Sequence, residues 1–102
     1  MKFLLLALFT LSGQAMASNC LKAAITNHGR VHPRLGIVEV RYKGALLPGE
    51  DKPYMQGEIW NDKKIPLDIY EIKSVFMASF IHVALVDKKT CETKKLIEVF
   101  FE

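Results

Sequence analysis

The most specific chemistry the chain could perform lies in its histidines. His28 and His32 stand four residues apart, with Met55, Met77 and His82 elsewhere. Imidazole suits zinc, and imidazole combined with thioether suits copper. A His-x-x-x-His spacing aligns its two rings only on a helix, and here Gly29 and Pro33 predict a turn instead. Copper or zinc handling through His28 and His32 is therefore the alternative function, set against two exposed loop histidines as the ordinary explanation. His82 falls inside an apolar run and reads as a hydrogen-bonded core residue.

Cys20 and Cys91 allow one intramolecular pairing, and behind an export signal a structural disulfide is the expected outcome. Lys88, Lys89, Lys94 and Lys95 surround Cys91 and would favour a thiolate. There is no Cys-x-x-Cys, so a thioredoxin-like role has little support.

Hydrolysis is poorly served. Ser74 and Ser79 sit in the apolar run without a nucleophile-elbow sequence, and no motif gathers a histidine and an acid around either. Glu50 and Asp51 are adjacent in a loop segment, where a solvated face explains them. Glu58 and Glu71 could serve as acid and base only within one shared cleft. The glycines are too scattered for a phosphate loop. A non-enzymatic protein with no cofactor is expected.

Recognition asks for less. Leu46 and Leu47 are two large apolar residues in a Gly- and Pro-rich segment spanning 44–53, and such a pair either tucks over a sheet edge or meets a partner. Tyr54 and Trp60 fall on the more polar face of a predicted strand, beside Lys63 and Lys64, a mixture that interface hot spots favour. The leading reading is a binding protein that recognises a protein or a cell-envelope component through loop 44–53 and turn 60–64.

The elements that must position these groups centre on the uncharged run from Ser74 to Val86. Ile81, Val83 and Leu85 alternate with Phe80, Ala84 and Val86, so a strand there would be covered on both faces. At 13 residues the run is shorter than the about 20 apolar residues of a membrane-spanning helix. Leu96 to Phe101 is apolar again, which predicts an antiparallel hairpin with a basic tip. Earlier strands are predicted over Cys20–Thr26, over Val38–Lys43 with Val38, Val40 and Tyr42 inward, and over Tyr54–Trp60, where Gly57 marks a bulge or a close backbone approach. A further strand follows Pro66. Five or six short strands with turn signals between them predict an all-β fold, a small antiparallel sandwich or barrel with one disulfide. A helix around 67–80 would make the fold α+β instead.

Residues 1–17 read as a signal peptide. Lys2 supplies the positive region, Phe3 to Leu11 the apolar region, and Ala15-Met16-Ala17 the cleavage site. Asn19 and Ala17 stand where a lipoprotein signal carries a small and an aliphatic residue, so lipidation of Cys20 is not expected. Residues 18–102 then form a single domain without a transmembrane segment, in the periplasm or outside the cell. Without Lys2 the chain keeps 13 basic and 11 acidic residues, a balance that does not favour nucleic acid as a partner.

Overall fold

A computed structural model of the chain describes residues 20–102, so the predicted signal peptide lies outside the described residues. Among the described residues one helix, α1 (Leu21–Val31), precedes six strands: β1 (Gly36–Leu46), β2 (Asp51–Tyr54), β3 (Gly57–Trp60), β4 (Leu67–Val75), β5 (Ser79–Val86) and β6 (Thr93–Phe101). Four of them form an antiparallel sheet in the order β1-β4-β5-β6, and β2 pairs with β3 in a separate hairpin. This is an all-β architecture with one short helix, closed by a disulfide between Cys20 and Cys91.

The two-sided apolar character of the central run is the reason for the layering. On one face Leu67, Ile69, Ile81, Val83, Leu85 and Val99 are buried beneath the β2–β3 hairpin, whose Ile59 enters the same core together with Leu46 from β1. On the other face Tyr70, Ile72, Ala84 and Val86 are buried beneath α1, which contributes Cys20 and Ala24. A single sheet is thus covered on both sides, as alternation of apolar residues through β5 requires.

The run from Ser74 to Val86 is nevertheless not one strand. The chain reverses at residues 76–78, so that Val75 pairs with Ser79 and Ser74 with Phe80. Met77 takes φ of 61° at the tip and is almost fully exposed. Its apolar side chain disguised a turn as part of a strand. Neither half is helical, so the α+β alternative with a helix at 67–80 does not hold.

Helix α1 lies where the first strand was expected. Leu21, Ala24, Ile25 and His28 follow the i, i+3, i+4, i+7 spacing of a helical stripe, and Ala24 and His28 are fully buried. A short stretch of alternation over 20–26 is compatible with both periods, and only the continuation through His28 decides between them. Gly29 does not break the helix; it lies on the exposed side with open space where a side chain would go. Pro33 follows the last helical turn, where His32 N–H donates to His28 O at 2.8 Å.

Two further boundaries move. Segment 44–53 is less irregular than its composition predicts, because β1 continues to Leu46 and β2 begins at Asp51. The expected single strand over 54–60 is instead part of the β2–β3 hairpin, turning at Met55 with φ of 55°. In β1, register shifts between Ile37 and Glu39 and between Tyr42 and Ala45 rotate the strand against β4. Val38 therefore points outward at 58% exposure, while Ile37 and Val40 pack toward the helix.

Candidate functional site

The disulfide sets the position of the helix. Cys20 is bonded to Cys91 in the β5–β6 connection, with a Cα–Cα distance of 4.9 Å, which fixes the start of α1 near the Val86 end of β5. Eight helical residues from Cys20 to His28 advance about 12 Å. The four strand residues back from Val86 to His82 cover about 13 Å. The matched lengths bring His28 over His82, and one further turn brings His32 beside both.

Three imidazoles consequently meet between α1 and β5. His28 Nε2 lies 3.2 Å from His82 Nδ1. The His32 ring centre is 4.4 Å from that of His82 and 5.2 Å from that of His28. His28 and His82 are buried, whereas His32 at the helix end is partly exposed. A cleft of about 370 Å³ opens beside the rings, lined by Val31, His32, Pro33, Leu35, Phe80 and Glu98 among others.

Electrostatics keep the buried pair uncharged. Burial, then the positive charge that neighbouring rings would carry, pushes His28 down to about 4. Burial and His32 do the same to His82, also to about 4. Glu98 Oε1 stands 3.8 Å from His82 Nε2 and would favour a proton there, but it is half-exposed and burial outweighs it. In the neutral pair one ring donates and the other accepts. His28 Nδ1 and His82 Nε2 are then left buried without a hydrogen-bond partner. Among the described residues no three His, Cys, Asp or Glu side chains form a ready-made metal cage. The arrangement is a tight pair with a third ring alongside.

The residues proposed for recognition gather at the other end of the sheet. Asn61 is fully buried between the two segments. Its Nδ2 donates to Leu46 O at 2.9 Å and to Ile65 O at 2.8 Å, and its Oδ1 accepts from Lys63 N–H at 2.9 Å. Main-chain bonds from Gly49 N–H to Asn61 O and from Asn61 N–H to Glu50 O complete the seam. Loop 47–50 and turn 60–64 are therefore neighbours. Leu47 is 60% and Trp60 50% exposed, and Lys63 and Lys64 are exposed beside them.

No protein-family model, curated protein or solved structure matches the chain.

Not every predicted contact residue reaches that surface. Leu46 is fully buried in the core, because β1 carries it under the hairpin. Tyr54 is half-buried, packs on the same core and donates its hydroxyl hydrogen bond to Glu71; burial and that carboxylate push the phenol up. Trp60 is held from one side by Lys95, whose Nζ sits 5.0 Å from the ring centre, bonds Trp60 O at 3.2 Å and pairs with Asp62 at 3.2 Å. Glu71 is engaged by Tyr54, while Glu58 neighbours Asp51, whose hydrogen bond and charge raise its carboxyl. Met55 and Met77 sit at hairpin tips and do not line the cleft by the histidines.

His82 is the hydrogen-bonded core residue expected, with a partner, His28, that the sequence did not point to, and Asn61 is the residue that sequence reasoning missed. His82 shares a strand face with Phe80, Ala84 and Val86, and a polar residue on such a face needs a partner; that need was the available signal. Asn61 opens a polar turn and resembles any turn asparagine. Nothing in its immediate neighbours announces that it is buried.

Proposed function

We propose that the chain is an exported, non-enzymatic binding domain that acts in the periplasm or outside the cell. It recognises a protein or cell-envelope component through the surface formed by Leu47, Trp60, Lys63 and Lys64. The observation that carries this reading is the buried Asn61, which bonds both segments and holds an exposed leucine, a half-exposed tryptophan and two lysines at one end of the sheet. An aromatic anchor beside apolar and cationic groups is a mixture that binding hot spots use. The lysines fit a partner with negative charge on the facing surface. The intrachain disulfide suits an oxidising compartment, and among the described residues no helix is long and apolar enough to cross a membrane.

The test is site-specific photocrosslinking from position 47 or 63 in cells of the source organism, read by mass spectrometry. The expected result is one dominant adduct, lost when Trp60 is changed to Ala while the fold is retained. Adducts equally abundant in the Trp60→Ala protein would overturn the assignment of this surface.

A further inference from the structure

The histidine cluster lies at the opposite end of the sheet from the recognition surface and is independent of it. We propose that His28, His82 and His32 form a three-imidazole site for a divalent first-row transition metal ion, zinc or copper, with its remaining coordination position open to the adjoining cleft.

Three observations support it. First, His28 Nε2 and His82 Nδ1 are 3.2 Å apart. Two nitrogens bound to one zinc at about 2.0–2.1 Å in a tetrahedron are themselves separated by about 3.3 Å. The two nitrogens already stand at ligand spacing, and binding requires the rings to turn so that both lone pairs converge on an ion off the line between them. Second, coordination through these two atoms requires the ring protons to sit on His28 Nδ1 and His82 Nε2. The latter then points toward Glu98 Oε1, 3.8 Å away, the carboxylate partner that metal-bound histidines commonly have. Third, His32 adjoins both rings and is partly exposed at the end of α1. Its side chain, partly exposed, is placed to turn and supply the third nitrogen. As they stand, the three side chains do not form a ready-made cage, so the site requires His32 to turn.

Imidazole-rich donor sets suit Cu²⁺ and Zn²⁺ among first-row ions. The cleft lets water or a small anionic ligand reach the ion beside Val31, Leu35 and Phe80. The thioethers of Met55 and Met77 lie away from the cleft, so the donor set is nitrogen rather than sulfur.

The experiment is titration of the untagged, oxidised protein with Zn²⁺ and Cu²⁺ at neutral pH, followed by calorimetry and by the imidazole nitrogen NMR shifts. The expected result is one ion per chain, with coordination shifts at His28 Nε2 and His82 Nδ1. His32→Ala should weaken binding at least about tenfold, and Glu98→Gln about tenfold, with circular dichroism unchanged in both. No stoichiometric binding, or undiminished binding by His32→Ala, would overturn the site. Coordination through the opposite ring nitrogens would overturn its geometry. His82→Gln is a further variant, and should it fail to fold, His32→Ala still decides. Loss of metal binding leaves crosslinking from position 47 unaffected, so the two proposals fail separately.

Discussion

His28 Nε2 and His82 Nδ1 face each other across 3.2 Å although 54 residues separate them in sequence. This contact joins the helix to the sheet at the end of α1 remote from the disulfide. It is polar, buried and uncharged, and its chemistry makes stability depend on pH.

Both rings titrate near pH 4 in the folded chain, against 6.5 ordinarily. Between those values the unfolded chain binds more protons than the folded one, so stability decreases as pH falls through the window and is fully present above it. Each ring contributes up to about 3 kcal/mol to that loss. The urea midpoint should fall between about pH 7 and pH 5, above the range where most carboxylates titrate. His28→Asn should flatten the slope, and an unchanged midpoint over that interval would refute the assignment.

The disulfide closes a loop with a sequence separation of 71. On the chain-entropy model it stabilises the fold by about 4 kcal/mol, a large share of the net stability of a small domain. Reduction should lower the melting temperature markedly, and the Cys20→Ser, Cys91→Ser double variant should match the reduced protein. A double variant as stable as the oxidised parent would contradict this.

Asn61 makes three side-chain hydrogen bonds from a fully buried position. Asn61→Ala leaves Leu46 O and Ile65 O without that donor, at a cost of about 2–4 kcal/mol. The emission of Trp60, the sole tryptophan, should shift with the loosened seam. Chemical denaturation of the variant measures the first effect, and fluorescence of the native state the second.

A side chain at Gly57 would meet Val99 Cα at 3.3 Å and Glu98 O at 3.4 Å, because β3 presses directly on the backbone of β6. Gly57→Ala should destabilise by about 1–3 kcal/mol through overpacking. At Met77 the sign reverses. An exposed non-glycine residue with φ of 61° is strained, and Met77→Gly should stabilise by up to about 1 kcal/mol. Paired denaturation curves for the two variants test both signs.

The legible parts of the fold were those where one residue pattern admits one period. Ile81, Val83 and Leu85 alternating with apolar partners called for a sheet covered on both faces, and both covers are present. Gly57 signalled a close approach, and the backbone of β6 is there. Residues 20–26 were ambiguous because seven residues fit both the strand and the helical repeat, and Gly29 and Pro33 tipped the balance wrongly. That error also hid the histidine site. His28 and His32 align only on a helix, and His82 joins them only once that helix crosses β5. Register shifts are long-range decisions between strands, so the outward turn of Val38 could not be read from β1 alone.

Those same shifts govern what the outer edge of the sheet can do. Among the described residues β1 pairs with β4 alone, as an edge strand of the sheet. The irregularities after Ile37 and after Tyr42 leave an uninterrupted ladder only from Glu39 to Tyr42. That stretch carries Glu39 and Arg41, which bridge each other at 2.6 Å. An incoming strand would find a short, twisted and charged template, a combination that resists edge-to-edge growth. The bent and charged first strand thereby disfavours edge-to-edge pairing at this edge of the sheet.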